Sequence, residues 1–308
     1  MKKGILLILA LFAFCAVQAQ QDPMYTMYMF NKLPINPGYA GSSGGLSATM
    51  LYRTQWVGFE GSPKTAAFSL DAPLFNDLSG VGISIVQDEL GISENLHLAG
   101  YFAYRFKVFG GTMGLGISGE VKRQQMNWSE VNPLDRTDPN LTYTNDNIFL
   151  PNMGVGIYWQ NETAFVGASM PRMIENDLDY NPTGITTFTS SAAQRRHFFG
   201  MAGFIATLSS ELKLRPMALV KYVDNAPVEV DLNIAALISD LIWVGAGYRT
   251  DDSYSAMVQL NLNKRFRIGY AHDFTFTRLN AYHNGTHEIM LGFDFNKKEK
   301  GVYHPRYF

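Results

Sequence analysis

The sequence has one cysteine, Cys15, which excludes both a disulfide framework and a thiolate metal site. Charge is also scarce. Asp, Glu, Lys and Arg make up 17% of the 308 residues, with 25 basic against 27 acidic side chains and a formal charge of −2. A nucleic-acid binder would carry a basic footprint that is missing here. Long apolar runs are absent after the N-terminus, where no stretch reaches the roughly 18 residues that a membrane helix needs. The chain is instead rich in aromatic residues, at 13%, and holds 28 glycines. An aromatic, glycine-rich, charge-poor chain without long apolar runs leaves one membrane solution, the closed β-barrel.

The first residues read as an export address. Lys2 and Lys3 precede an apolar stretch from Ile5 to Val17, and Val17-Gln18-Ala19 offers a small residue for cleavage before Gln20. Phe14 is too bulky for the position before a lipoprotein cysteine, so Cys15 leaves with the signal peptide. The division expected is 1–19 signal peptide, 20–45 periplasmic or lumen-plugging segment, 46–295 transmembrane barrel and 296–308 periplasmic tail.

From Leu46 onward the hydrophobic pattern has period two. Tyr254, Ala256, Val258, Leu260 and Leu262 alternate with Ser253, Ser255, Met257, Gln259 and Asn261; Ile289, Leu291, Phe293 and Phe295 alternate with Glu288, Met290, Gly292 and Asp294. Such segments predict an all-β antiparallel outer-membrane barrel of about 14 strands. They fall near 46–57, 64–72, 80–87, 94–107, 111–125, 152–159, 163–170, 197–208, 211–222, 227–237, 241–249, 253–262, 265–273 and 286–295. The connections sort by length. Tight turns at Val108-Phe109-Gly110, Gln160-Asn161-Glu162, Ser209-Ser210, Ser239-Asp240 and Asn263-Lys264, with Pro73 to Ser79 the exception on that side, alternate with connections that include the long stretches 126–151, 171–196 and 274–285. A bacterial barrel with both termini in the periplasm sorts its connections in this way.

Four Gly-x-Gly pairs, Gly80/Gly82, Gly114/Gly116, Gly154/Gly156 and Gly245/Gly247, fall in the lumen phase. Glycine within a strand marks either sharp curvature or the close approach of another backbone. The segment 20–45 is the natural occupant. Asp22 and Pro23 read as a helix start, and Met24, Tyr25, Met27, Tyr28, Met29 and Phe30 form an adaptable apolar surface. That surface suits a plug or the docking of a periplasmic partner.

Catalytic patterns fail on context. Gly114-x-Gly116-x-x-Gly119 lies in an alternating strand with no helix to meet a pyrophosphate. His283 and His287 have zinc spacing only for a helix, and His97 and His197 read as isolated polar lining. The loop Asn132–Asn147, with Asp135, Asp138, Asn140, Asn145 and Asp146, has oxygen ligands suited to Ca²⁺ but no EF-hand spacing, and Asx turns account for it. No catalytic residue, metal or cofactor is expected. Lumen-phase Lys64, Arg105, Lys107, Glu120, Lys122, Lys213, Arg215, Lys221, Glu229 and Asp231 would line a channel if the lumen were open.

Longer motifs then narrow the reading. Gln21-Asp22-Pro23-Met24-Tyr25-Thr26-Met27-Tyr28-Met29-Phe30-Asn31 is followed by Asn36-Pro37-Gly38-Tyr39-Ala40-Gly41-Ser42. Next come Arg53, Gln55, Trp56, Gly58, Phe59, Gly61 and Pro63, then Asp71-x-Pro73-Leu74, and finally Pro305-Arg306-Tyr307-Phe308. Together these resemble the PorP/SprF family of type IX secretion system outer-membrane proteins. The resemblance implies a role in protein export and, in gliding bacteria, in adhesin display. It implies as partners the C-terminal domain of a large secreted surface protein, and periplasmic type IX lipoproteins or an OmpA-like peptidoglycan-binding protein. The expected function is therefore a non-enzymatic barrel that binds a client. Partner-binding candidates are Met24, Tyr25, Met27, Tyr28, Met29, Phe30, Trp128 and Tyr143. The alternatives are a component docking the periplasmic ring and a small-solute channel.

Overall fold

The computed structural model describes residues 24–74, 77–128, 146–176, 194–224 and 226–295. Fourteen antiparallel strands form one closed barrel. They are β1 (Leu46–Thr54), β2 (Lys64–Leu74), β3 (Ser79–Leu90), β4 (Ser93–Val108), β5 (Gly111–Met126), β6 (Asp146–Gln160) and β7 (Ala164–Arg172). Then follow β8 (His197–Phe204, resuming at Ala206–Thr207), β9 (Leu212–Val223), β10 (Glu229–Ile238), β11 (Ile242–Arg249), β12 (Ser253–Asn261), β13 (Phe266–Thr275) and β14 (Thr286–Phe295). Each strand pairs with its sequence neighbours, and β1 pairs with β14 from Leu46 opposite Phe295 to Thr54 opposite His287. That pairing leaves no open sheet, which is the condition for strands to cross a bilayer.

One rim carries short turns and the other carries most of the long connections, as the sequence predicts. At the turn rim, Phe109 (φ 49°), Gly110 (φ 68°), Ser239 (φ 50°) and Asp240 (φ 53°) are left-handed. Two consecutive positive φ values are the geometry of a two-residue hairpin that matches strand twist. At the loop rim, among the described residues, lie 55–63, 127–128, 173–176, 194–196 and 276–285.

Alternation decides what each wall shows. Leu98, Phe102, Ile117, Leu232, Tyr254 and Leu291 are exposed on the outer wall. Leu98, the measure of that belt, is 56% exposed, an arrangement that water would not favour and lipid does. Aromatic rings gather near the ends of the belt. Phe293 lies tilted against Phe266 at 4.4 Å and edge-on to Phe295 at 4.1 Å toward the turn rim, and Tyr248, Tyr254 and Phe276 meet at 5.2–6.2 Å toward the loop rim. The core lies inside the barrel, where Trp243, Met257, Leu219 and Tyr158 are buried against residues of the N-terminal segment.

The structure departs from the sequence reading in five places. β1 ends at Thr54, not at 57, because Trp56 takes φ 47° and turns the chain. β6 begins at Asp146, six residues before the expected start, so Asp146 and Asn147 belong to a strand; the rest of the Asx-rich loop, from Asn132 to Asn145, lies outside the described residues. β8 is broken at Ile205. Lys64 is exposed in the outward phase of β2, whose inward residues are Thr65, Ala67, Ser69 and Asp71. The N-terminal segment forms only 3₁₀ turns, Tyr28–Phe30 and Pro37–Tyr39, instead of a helix running from Pro23; Asp22 and Pro23 themselves lie outside the described residues.

Candidate functional site: the leader in the lumen and the loop rim

The leader, residues 24–45, runs through the barrel interior. Tyr25, Met27, Tyr28, Met29, Phe30, Leu33 and Ile35 are buried, and Met24 is partly buried. Their apolar surface is turned to the inner wall, so it is not free to dock a partner. Phe30 meets Trp243 edge-on at 6.2 Å, and the Arg215 guanidinium lies over both rings at 4.6 and 4.2 Å. Such cation–π contacts are stronger where water is excluded.

Three polar clamps fix the leader. The first grips its start. Arg53 Nη2 donates to Asp273 Oδ2 at 2.7 Å and Nη1 to Glu288 Oε2 at 3.0 Å, with all three side chains almost fully buried. The same carboxylates take the leader's donors: Glu288 accepts Thr26 N–H at 2.8 Å and Met27 N–H at 2.7 Å, while Asp273 accepts the Thr26 hydroxyl at 2.7 Å. A buried ion pair holds well only when its remaining lone pairs are satisfied, and here the leader backbone satisfies them.

The second clamp is Asn36-Pro37-Gly38. Asn36 Oδ1 caps the 3₁₀ turn by accepting Gly38 N–H at 2.9 Å, and Nδ2 donates to Ile157 O at 3.0 Å. Pro37 occupies the first position of the turn, where a missing N–H costs nothing. This turn rests directly on glycine backbone. A Cβ on Gly114 would strike Gly38, one on Gly116 would strike Pro37, and one on Gly156 would strike Asn36. Gly80 lies equally close against Ala40. Gly82 faces Leu33, whereas Gly154, Gly245 and Gly247 face wall residues. Tyr39 completes the contact by packing edge-on against Tyr158 at 5.2 Å.

The third clamp closes the turn-rim end. Asp71 Oδ2 accepts Gly41 N–H at 3.1 Å and Ser43 Oγ–H at 2.8 Å, while Arg105 Nη1 donates to Gly41 O at 2.6 Å. Lys32, also buried, donates to Met29 O at 2.7 Å and sits over the rings of Tyr39 and Phe165. Burial, with Arg215 and Arg267 nearby, pushes its ammonium well below the usual lysine range. Burial pushes the Tyr25, Tyr28 and Tyr39 hydroxyls up.

Toward the loop rim the lumen carries further charge. Glu120 accepts from Arg172 Nε at 3.0 Å and lies 3.1 Å from His97 Nδ1, so His97 is not the isolated lining residue that the sequence suggested. Arg249 Nε donates to Asp231 at 3.0 Å. A cavity of about 50 Å³ lies between Met24, Tyr25, His97 and Arg172, room for little more than water. At the rim itself, Gln55 N–H donates to Pro63 O at 2.9 Å, tying β1 to its loop. Val57 N–H donates to Gly285 O at 2.9 Å and Asn284 N–H to Val57 O at 2.7 Å, which joins the first loop to the last. Gly58 (φ 96°) and Gly61 (φ 72°) supply the turn, and Phe59 is left 47% exposed. Trp56 is half-buried there, and its N–H meets Thr286 Oγ1 at 3.2 Å. Trp128 is half-buried beyond β5, and Tyr143 lies outside the described residues. No cluster among the described residues is arranged to hold a metal ion.

The model of the type IX secretion system membrane protein PorP/SprF matches residues 17–293. The chain belongs to the PorP/SprF family. Both the leader clamps and the rim motif fall within the matched span. No curated protein matches the chain. Among solved structures, it is similar to a FadL homologue of Pseudomonas aeruginosa at 11% identity and TM-score 0.49, covering 89% of this chain and 95% of that one. It is also similar to the outer membrane protein Omp33 of Acinetobacter baumannii at 8% identity and TM-score 0.45, covering 82% and 100%. PorP/SprF membership and the closed barrel make this an outer-membrane barrel of a secretion system, a class of secretion barrels rather than of enzymes.

Sequence reasoning missed Asp273 and Glu288 as functional residues. The signal was present: two carboxylates in the inward phase of the last two strands, and a single inward arginine on the first.

Proposed function

We propose that this PorP/SprF barrel is a lumen-filled, non-enzymatic receptor that binds a secreted surface protein at its loop rim and helps to secrete or anchor it, with both of its own termini in the periplasm. The observation that carries this reading is the leader itself. It fills the lumen under three buried polar clamps, which argues against service as a passive solute channel. Function then falls to the rims. The loop rim holds the long connections, the exposed Phe59 and the half-buried Trp128, and aromatic residues are favoured anchors of protein interfaces. The expected client contact is a C-terminal domain, as the family resemblance implies.

A second reading, docking to the periplasmic ring, is favoured by one feature of the turn rim. Phe109, at the tip of the β4–β5 turn, is 82% exposed. Affinity purification of the tagged protein from gently solubilised outer membranes separates the two. Recovery of a large surface protein supports the receptor. Recovery of periplasmic lipoproteins or an OmpA-like protein in its place supports the dock. Recovery of neither, with an intact barrel, removes both.

A further inference from the structure

The leader has a direction, and its contacts fix it. Met24 and Tyr25 lie beside Val86, His97, Arg172 and Phe199. Arg172 ends β7, Phe199 stands just inside the start of β8 and His97 just inside the start of β4, so all three are near the loop rim. Thr26 is held at the same level, by Arg53 next to the end of β1 and by Glu288 near the start of β14. The other end of the leader meets the opposite rim. Gln160, the last residue of β6, donates from Nε2 to Ser42 O at 3.2 Å, and Arg105, near the end of β4, donates to Gly41 O at 2.6 Å. β1 then starts at Leu46, opposite Phe295 at the end of β14.

Cleavage before Gln20, as the sequence predicts, leaves only Gln20 to Pro23 ahead of Met24. In any conformation, four residues reach at most about 14 Å. The run of β1 from Arg53 back to Leu46 is about 24 Å of strand, or about 18 Å along the barrel axis at the usual tilt. The amino terminus is therefore too short a tether to reach the turn rim. The routes back are also closed. Inside the barrel, the cavity between Phe30, Asn31, Tyr39 and Arg267 is about 10 Å³, room for a single water at most. Outside the wall is lipid, where unpaired backbone does not lie.

We infer that the leader enters the barrel from the loop rim, so that the amino terminus of the mature chain stands at the cell surface and the carboxyl terminus in the periplasm. The naming of the two sides rests on the receptor reading above, in which the loop rim faces outward. Of the two periplasmic termini in that reading, the carboxyl terminus stays, because β14 ends at the turn rim, and the amino terminus moves to the other side. The rim that meets the client then carries the chain's own amino group.

Cys15 leaves with the signal peptide, so the mature chain is thiol-free and a single new cysteine reports its own side. The test compares Gln21→Cys with Lys297→Cys, each in the full chain in intact cells, using a polyethylene-glycol maleimide too large to cross the outer membrane. Heat-modifiable gel migration checks that each barrel is inserted. Gln21→Cys is expected to label equally before and after the outer membrane is permeabilised, and Lys297→Cys only afterwards. Labelling of Gln21→Cys only after permeabilisation overturns the inference, and recovery of a surface protein by the wild type decides separately whether the receptor reading survives. Labelling of Lys297→Cys on intact cells overturns the assignment of sides. If the Gln21→Cys thiol resists the reagent even in permeabilised cells, an epitope tag between Gln21 and Asp22 replaces it. Antibody binding on intact cells then supports the inference, and binding only after permeabilisation overturns it.

Discussion

Arg53 answers two buried carboxylates at once, and those carboxylates hold the leader backbone. Removing the arginine leaves Asp273 and Glu288 uncompensated in a site that excludes water. Arg53→Ala is therefore expected to cost about 3–5 kcal/mol, the usual penalty for orphaning a buried charge. Thermal unfolding in detergent measures it, and a loss below about 1 kcal/mol, the range of an exposed pair, would sink the clamp. The sequence showed Arg53 in a motif and in the lumen phase. It did not show the partners, because Arg53 and Asp273 are 220 residues apart and no local pattern links them. His97 was misread for the same reason: Glu120 lies on the next strand and Arg172 on β7.

At the scale of elements, period two and the sorting of connections made the strands legible, since alternation is forced by a wall with lipid on one side and a packed interior on the other. The exceptions have local causes. Asp146-Asn147 and Pro151 disguise the start of β6, and a single left-handed residue, Trp56, shortens β1. The glycine pairs left curvature and close approach open. Gly80, Gly114, Gly116 and Gly156 lie against leader backbone or the Asn36 and Pro37 side chains, whereas Gly245 and Gly247 meet only wall side chains and neighbouring strand atoms. Gly116→Val is expected to leave β5 paired, because valine suits a strand, and to drive Pro37 off the wall. Limited proteolysis reads this out: faster cleavage within residues 30–43 than in the wild type is expected, and unchanged protection would show that the turn does not depend on the glycine.

For the whole molecule, the leader replaces the solvent of a pore with a packed core, and it was the leader's placement that composition alone left open. Deletion of residues 24–43 is expected to give an inserted barrel with an open lumen lined by Arg105, Arg215, Asp71 and Glu288. Planar-bilayer recording tests this, with stepwise ionic conductance expected from the deletion variant and little from the wild type. Equal conductance from both would mean that the leader does not seal the barrel.

Arg53 and Glu288 are also direct partners in the β1–β14 pairing that closes the ring. The residues that grip the start of the leader are thus completed only by the last strands of the barrel. The start of the leader has no lasting seat on a half-built wall, because the two carboxylates of its clamp, Asp273 and Glu288, arrive on β13 and β14. Sealing of the lumen and zipping of the seam are consequently one cooperative step, so an unzipped barrel is also a leaky one.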